Sequence, residues 1–579
     1  MKRSNKLIAL TGLLVAVSLT LAACGGAATT AAPQATQPPQ PTTVSPTEAP
    51  TEVPAPEFRG IATITFVQEP TILNPLYATQ WFSTITTQFW LKSLWSFDPN
   101  NQPIPEIATE IPTSDNGGLS ADGKTLTVKL RDDVVWSDGE PVTAHDFVFT
   151  YEMFMADSNI VASRYPYEDY VESMEAPDDH TLVVNFKEPF AAWQTTIFNN
   201  GVLPEHVLRP VFEKDGTLDN AEWNHAPTVG VGPFVFSEWE SGSHIILQAN
   251  PNWIHPPKLE QVFIRMADDA AQEAAILAGD TDIGTFLDWS QADSINNSGK
   301  AQFVTQPSGF DEGWYLNFDP ETAHPAMLDL KVRQAIALAT DLEKITQDLL
   351  GGLTVPPATF WESTPPYSDP GLKPYPYDPE EARRLLDEAG WSDSDGDGIR
   401  DKAIDGEKVD LKLRYIANQR QLRKDVQAVV QQMWAAVGIQ AELVNYGDDY
   451  FNGYADGGPQ ATGQYDIAEY SSTGSFPDPE ASVNWLCSEV VGPDNPEGGN
   501  WQGYCNPALD ELFDEQAVTT DPEARKQLYY QIGKIMYDDV VWVGLWKDPD
   551  LWSVSTRLQG VRLSGATPFW NAHEWSLEE

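Results

Sequence analysis

The sequence is poor in cysteine and in basic residues. It has three Cys among 579 residues, and 35 Lys and Arg stand against 85 Asp and Glu, so the formal net charge is -50 at pH 7. A surface this acidic repels nucleic acid and anionic lipid, and we expect no nucleic-acid partner. The charge is compatible with cationic, zwitterionic or neutral ligands, and also with a role in solubility or an acid or salt-rich habitat.

Catalytic and metal-binding motifs are also lacking. The sequence contains no Gly-x-Ser-x-Gly, His-Glu-x-x-His or Cys-x-x-Cys pattern, and its eight His are scattered without ligand spacing. The stretch Gly118 to Thr125 fits the phosphate-loop expression, but such a loop needs a helix directly after it. Because Thr125 to Leu130 alternates like a strand, we interpret Asp122-Gly123 as a hairpin turn. We expect a protein that is not an enzyme.

One apolar run stands out, from Leu7 to Leu21, after three basic residues. It is short for a bilayer span and predicts a secretory signal peptide over residues 1–23. The segment Leu21-Ala22-Ala23-Cys24 resembles a bacterial lipobox, which implies cleavage before Cys24 and a diacylglycerol on its sulfur. An ordinary signal peptide with an incidental Cys is the alternative. Acyl chains hold proteins at membranes, so we expect an extracytoplasmic protein that is lipid-anchored to the cell membrane.

The next segment, residues 24–57, is rich in Ala, Thr, Gln and Pro and has almost no large apolar side chains. We predict a disordered tether there. Cys487 and Cys505 are the two remaining cysteines. Export permits them to pair, and closing the loop between them would contribute about 3 kcal/mol through chain entropy. We therefore predict a disulfide, with two buried free thiols as the alternative.

Hydrophobic periodicity predicts a mixed α/β body that begins near Phe58. Helix signals occur at Thr143 with Asp146, after Asp268, and at two Asp-Pro pairs beginning at Asp378 and Asp521. A helix over 329–340 is also predicted. Predicted strands are residues 61–67, 124–130, 182–186, 245–248, 409–415, 439–443 and 540–546. The strand, helix and strand between 409 and 443 predict a parallel pair with a right-handed crossover.

An acidic turn follows the helix that begins at Asp378. Alternate carboxylates with a glycine after the third place several hard oxygens on one side of a tight loop, which suits calcium. The candidate ligands are Asp393, Asp395, Asp397, Ile399 and Asp401. The turn resembles the acidic half of an EF-hand loop, but Ile404 stands where the bidentate carboxylate belongs. A structural calcium ion and a solvated acidic turn are the alternatives, and we expect that no cofactor is required.

Several short motifs occur in a fixed order along residues 58–579. They are Lys129 to Asp146 with its Trp136-Ser137-Asp138-Gly139, then Val231 to Phe234, Gly279 to Ile283, Leu316 to Phe318, Val332 to Ala335, Tyr377 to Pro379, and Asn500 to Tyr504. Each motif is weak alone. The ordered set resembles the extracytoplasmic solute-binding proteins of family 5, the oligopeptide, dipeptide and nickel group of ABC importers.

The resemblance implies the class II periplasmic-binding-protein fold, an α/β fold with two lobes, a hinge and a small insertion domain. The implied divisions are 58–100 for the first part of lobe I, 101–224 for the insertion domain, 225–315 for the second part of lobe I, 316–540 for lobe II, and 541–579 for the last part of lobe I. Ligand would lie between the lobes. Differential affinity for the closed form would shut them, and a membrane permease would be the partner of a monomer.

The resemblance also implies where ligand contacts lie. Aromatic side chains suit a ligand cleft, and our candidates are Tyr77, Trp81 and Trp314. The turn residues Ser472, Thr473, Gly474, Ser475 and Phe476 are candidates as well. Peptide-binding members place an aspartate for the peptide α-ammonium where Ser475 stands here, and Asp478 is the alternative ammonium partner. We therefore expect oligopeptide binding, with oligosaccharides, another small solute or a ligand-presenting sensor role as alternatives.

Overall fold

The computed structural model describes residues 58–78, 80–161, 163–198, 201–364, 366–472 and 476–578. The predicted signal peptide, the predicted tether, Cys24, and the site candidates Thr473, Gly474 and Ser475 lie outside these ranges. No helix within them combines the length and the apolar character that a membrane crossing needs.

The described strands, in chain order, are β1 (Ile61–Phe66), β2 (Trp95–Phe97), β3 (Pro103–Pro105), β4 (Thr125–Lys129), β5 (Val171–Asp178), β6 (Thr181–Phe186), β7 (Phe234–Glu240), β8 (His244–Ala249), β9 (Gln261–Met266), β10 (Ile283–Gly284), β11 (Ala301–Gln306), β12 (Asp311–Leu316), β13 (Asp401–Ile404), β14 (Glu407–Asp410), β15 (Lys412–Asn418), β16 (Gln440–Tyr446), β17 (Ile467–Ser472), β18 (Trp542–Lys547), β19 (Asp550–Ser555), β20 (Leu558–Gln559) and β21 (Ser576–Leu577).

The described α-helices are α1 (Trp81–Thr87), α2 (Ala144–Met155), α3 (Tyr167–Tyr170), α4 (Trp193–Thr196), α5 (Glu205–Asp215), α6 (Asp269–Ala278), α7 (Ala292–Ser298), α8 (Leu330–Leu338), α9 (Leu342–Leu349), α10 (Pro379–Glu388), α11 (Gln421–Ala435), α12 (Pro507–Val518) and α13 (Pro522–Asp538).

Local caps explain why several helices begin where the sequence predicts. The carboxylate of Asp268 accepts a hydrogen bond from the Ala271 amide at 2.8 Å, and Asp521 accepts one from Ala524 at the same distance. The predicted capping box of Thr143 and Asp146 is present at α2. Each cap satisfies an amide that the first turn leaves without a helical partner, so it fixes the helix start.

Two sheets form the framework. The first has seven strands in the order β11-β19-β10-β1-β9-β8-β7, with β1 parallel to both of its neighbours. The second has five strands in the order β16-β15-β17-β12-β18. We call the parts of the chain built on these sheets the first lobe and the second lobe. The predicted parallel pair is confirmed, because β15 and β16 are parallel and α11 joins them. The predicted strand over 409–415 is divided, since β14 ends at Asp410 and β15 begins at Lys412.

The chain crosses between the sheets twice, from β11 to β12 and from β18 to β19. The two crossovers are adjacent, because the Asp548 amide donates to the Phe310 carbonyl at 3.0 Å. The predicted lobe boundaries at 315/316 and 540/541 are therefore wrong: β12 and β18 both belong to the second sheet. Both strands are almost completely buried, and such strands lack the alternation that would indicate which sheet they join.

The predicted insertion domain, residues 101–224, contains the three-stranded sheet β4-β6-β5 and the helix α2. Its buried side chains join those of the first lobe in one core, which includes Ile64, Trp136 and Phe147. The hairpin of β2 and β3 spans the expected boundary at 100/101. Thr125 begins a strand, β4, and Leu126 pairs antiparallel with Leu119, so the phosphate-loop match is a hairpin turn, as predicted.

The second lobe contains the predicted disulfide. Cys487 and Cys505 are bonded, and their Cα atoms lie 4.6 Å apart. The bridge closes the segment that precedes α12.

Candidate ligand-binding cleft

One face of α1 lines a cavity of about 570 Å³, which we call the aromatic cavity. Trp81, Thr84, Ile85 and Gln88 lie at positions i, i+3, i+4 and i+7, which share one side of a helix and its C-cap. Phe82 packs on the other side, with its ring 4.9 Å from Phe66 in β1. The first sheet therefore fixes α1, and α1 fixes this wall.

The remaining walls come from distant parts of the chain. They include Phe154 of α2, the segment 163–167, the end of α4, the segment 565–568, the first crossover with Ser308 and Phe310, and Phe476 from the second lobe. Gly565 permits the close approach, because a Cβ there would lie 1.7 Å from the Pro307 carbonyl oxygen and 2.9 Å from the Phe476 ring. The aromatic cavity thus includes both lobes and the crossover between them, which is where a two-lobed binding protein encloses its ligand.

The lining of the aromatic cavity is aromatic and neutral. Its rings include Trp81, Phe154, Tyr165, Phe198, Phe310 and Phe476. No described lining residue is Asp, Glu, Lys, Arg or His, although 21% of the chain is charged. The Ser308 hydroxyl is buried and has no hydrogen-bond partner among the described residues. Such a wall offers flat apolar faces and neutral polar groups to a ligand.

The two first-loop candidates differ in placement. Trp81 lines the aromatic cavity, and its ring packs 5.6 Å from Trp552. Tyr77 is half-buried, and its hydroxyl donates to Asp219 at 2.9 Å. Burial and the neighbouring Asp219 raise the pKa of Tyr77, so the phenol stays neutral. The residues on either side of Tyr77 reach the lining, but Tyr77 itself does not belong to it.

Trp314 does not reach the cleft, so the prediction that it contacts ligand is wrong. Its side chain is fully buried in β12, and its indole N–H donates to the Tyr415 hydroxyl at 2.8 Å. The ring also packs edge-to-face against Trp434 of α11 at 5.2 Å. Trp314 therefore holds a helix on the second sheet.

The predicted turn after β17 is described only at its ends. Ser472 is the last residue of β17 and is half-buried. It lies opposite Asp311 in the antiparallel register of β12 and β17. Phe476 lines the aromatic cavity together with Trp81. Trp81 and Phe476 are therefore the two described candidates that line the same cavity.

A second cavity, of about 980 Å³, lies between the predicted insertion domain and the second lobe. We call it the polar cavity. Its lining includes Asn100, Gln102, Thr113, Ser114, Gln194 and Thr519. It also contains the charged residues Asp115, Asp478, Asp521 and Arg525. The Ala191 amide donates to the Ala517 carbonyl at 2.9 Å, so these two parts of the chain are in direct contact.

Asp478 is already paired, which corrects its assignment as a free ammonium partner. Arg525 of α13 binds both of its oxygens, at 2.5 and 2.9 Å, and both side chains are buried. Gln516 accepts two further hydrogen bonds from Arg525, at 2.9 and 3.0 Å. Burial lowers the pKa of Arg525, but Asp478 more than offsets this effect, and the net shift is upward. Because both oxygens of Asp478 accept hydrogen bonds from Arg525, this carboxylate is not free to bind a ligand ammonium group.

A further buried charge pair lies in the second lobe and was not singled out from the sequence. Arg423 of α11 donates to both oxygens of Glu312 in β12, at 2.7 and 2.8 Å. Glu469 in β17 lies nearby, and burial together with Glu312 raises its pKa well above the ordinary value. Glu469 accepts a hydrogen bond from the Tyr415 hydroxyl. The sequence signal was available: acidic residues in otherwise apolar strands require partners.

The acidic turn brings carboxylates together but already contains a cation. Oxygens of Asp393, Asp395 and Asp401 lie within 4.8 Å of one another. The Lys408 ammonium lies 2.5 Å from Asp395 and 3.8 Å from Asp401. Asp397 accepts a hydrogen bond from the Ile399 amide at 2.8 Å. The calcium site stays a prediction, and Lys408 would compete with an ion there.

Comparison with known proteins decides the family. Residues 102–493 match the family described as "Bacterial extracellular solute-binding proteins, family 5 Middle". An ABC transporter peptide-binding protein of Brucella melitensis is 30% identical over 517 residues, which are 87% of this chain and 91% of that protein. The oligopeptide-binding protein AppA of Bacillus subtilis is 26% identical over 600 residues and is covered completely, as is this chain.

This chain belongs to the family 5 solute-binding proteins. It is therefore the extracytoplasmic substrate-binding component of an ABC importer, as predicted. Two solved structures share the fold. One is AppA of Bacillus subtilis in complex with a nonapeptide, with a TM-score of 0.72, 24% identity and coverage of 90% of this chain and 100% of AppA. The other is NikZ of Campylobacter jejuni in complex with Ni(L-His), with a TM-score of 0.73, 23% identity and the same coverage.

Proposed function

We propose that this family 5 protein captures oligopeptides between its two lobes and delivers them to a membrane permease. The observation that carries the proposal is the peptide-binding designation of relatives aligned over nearly the whole chain. The aromatic cavity supports it, because it is enclosed by both lobes and the adjacent crossovers. A ligand that contacts both lobes favours the closed form over the open one.

Native mass spectrometry of the purified full chain tests the proposal. Because extracytoplasmic binding proteins trap their cargo, we expect co-purified peptides, and refolded protein should rebind them in calorimetry. A ligand of another class, with no peptide binding up to about 1 mM, would overturn the peptide assignment.

A second candidate is an oligosaccharide or another small solute. The observation that favours it is the pairing of Asp478 with Arg525, which leaves no free carboxylate there for a peptide α-ammonium. NikZ shows that this fold is found with a nonpeptide ligand as well.

The proposal includes attachment to the membrane through a lipid on Cys24. Its support is the lipobox-like segment that ends at this residue. Cys24→Ala should move the protein from the membrane fraction to the soluble extracellular or periplasmic fraction. Equal membrane association of both forms would exclude the lipid anchor. We also expect no turnover of peptides or glycosides on incubation with the purified protein.

A further inference from the structure

The described lining of the aromatic cavity contains no Asp, Glu, Lys, Arg or His side chain, although it is drawn from both lobes and from the crossover between them. Neutrality is therefore shared by described wall segments that are far apart in the sequence.

Three carboxyl groups lie near this cavity but outside its described lining. Asp219 accepts hydrogen bonds from the Tyr77 hydroxyl and the Ile160 amide, both at 2.9 Å. Asp478 is bound by Arg525. Asp550 faces Ser308, and burial raises its pKa to about 7. None of these carboxylates belongs to the lining, and of the groups beside them only Ser308 does.

Two neutral polar groups of the wall are Ser308 and Gln88. The Ser308 hydroxyl is buried beside Asp550 and makes no hydrogen bond of ordinary geometry in the described chain. Gln88 accepts a hydrogen bond from the Phe569 amide at 3.0 Å, which fixes its amide group. Such groups hydrogen-bond a hydroxyl or an amide well. They do not compensate a buried ammonium or carboxylate, whose desolvation is unfavourable without an opposite charge.

We propose that the ligand group held in the aromatic cavity is uncharged, with flat apolar faces and neutral hydrogen-bonding groups at its edge. This inference rests on the proposed solute-capture function and restricts its substrate class. Two sources present such a group: a peptide segment without a free terminus, and a neutral sugar ring. A small zwitterionic peptide does not.

Matched ligand pairs test this inference without any mutation. A tripeptide such as Ala-Phe-Ala is measured by calorimetry with free termini and with acetyl and amide caps. Neutral cello-oligosaccharides are compared with their glucosamine and glucuronate analogues. If the natural ligand is a peptide, we expect the capped tripeptide to bind at least about tenfold more tightly than the free one. If it is a sugar, we expect the same advantage for the neutral oligosaccharide over its charged analogues. Equal or tighter binding of the charged member in that pair overturns the inference.

The same data separate this inference from the proposed function. If free and capped peptides bind equally well, the proposed peptide capture is supported and the inference of an uncharged ligand group is wrong. If only neutral sugars bind, the peptide assignment is wrong and the inference is supported. Binding of charged probes alone overturns the inference.

A charge placed in the wall gives a second test. Gln88→Glu keeps the acceptor for the Phe569 amide and adds a carboxylate to the aromatic cavity. We expect the affinity for the neutral ligand to fall about tenfold, and the preference for the neutral over the ammonium-bearing ligand to shrink. Gln102→Glu is the matched control, since it adds the same charge to the polar cavity and should leave both values unchanged. An unchanged preference in a folded Gln88→Glu protein contradicts the inference.

Discussion

The aromatic cavity and the polar cavity lie on either side of one short segment of the second lobe. Phe476 lines the first, and Pro477 and Asp478 line the second. In the aromatic cavity, charged side chains are absent from the described wall. In the polar cavity they are present, but Asp478 is neutralised by Arg525 within the protein. The two cavities thus differ: the described wall of the aromatic cavity has no charged side chain, whereas the polar cavity holds Asp115 and Asp521 beside the internally paired Asp478.

The largest expected effect comes from breaking the pair in the polar cavity. Asp478→Ala leaves Arg525 buried without its carboxylate, and removing one partner of a buried pair typically costs about 3–5 kcal/mol. Urea unfolding should show a loss of this size. Asp538→Ala, which removes an exposed pair with Lys534, is the control and should cost less than about 1 kcal/mol. If Asp478→Ala loses little free energy of unfolding but binds peptide more weakly, Asp478 contacts the ligand after all.

The second prediction separates the two tryptophans that sequence reasoning treated alike. Trp314→Ala removes a fully buried ring and should lower the free energy of unfolding by about 3–5 kcal/mol. Trp81→Ala should cost less stability, because the ring is half-buried, and should weaken ligand binding about tenfold through lost contact with its flat face. Calorimetry and urea unfolding of both variants measure the two effects. The reverse pattern, with ligand affinity lost only at Trp314, would mean that the aromatic cavity is not the ligand site.

The third prediction concerns the carboxyl group behind Ser308. Burial raises the pKa of Asp550 to about 7, with Ser308 and Asp548 as its polar neighbours, and Asp550 Oδ2 has no partner in the described chain. The folded state therefore retains a proton that the unfolded chain releases near pH 4. The contribution of Asp550 to the free energy of unfolding should therefore fall by up to about 1.4 kcal/mol per pH unit between about pH 4 and pH 7, and stay constant above that.

Asp550→Asn should remove this component of the pH dependence. Asp311, whose pKa burial raises to about 8, titrates in the same direction and remains in the variant. Asp311 has its own partners, since Ser363 donates to it through both its amide and its hydroxyl. Urea unfolding at pH 5 and pH 8 measures the difference. If Asp550→Asn and the unchanged protein lose the same stability between these values, Asp550 is ionised throughout.

The sequence predicts what is local and not what is distant. Asp268 and Asp521 indicate where their helices begin, because each cap accepts a hydrogen bond from an amide only three residues later. The crossovers were misplaced because β12 and β18 are buried on both faces. Trp81 and Trp314 look equivalent in sequence, since composition does not show which side a ring faces. Asp478 looked free because Arg525 lies 47 residues away. The neutrality of the aromatic cavity arises from segments that only the fold brings together.

The smallest expected effect lies in the acidic turn, where Lys408 has the role that Arg525 has for Asp478. If this internal cation satisfies Asp395 and Asp401, calcium at about 1 mM should raise the Tm of the unchanged protein little. Lys408→Ala exposes the carboxylates to one another, and calcium should then raise its Tm by a few °C. Lys402→Ala is the control, since Lys402 donates to the Ala389 carbonyl instead. A strong calcium effect on the unchanged protein would show that an ion displaces Lys408, and that Lys408 does not satisfy this turn as Arg525 satisfies Asp478.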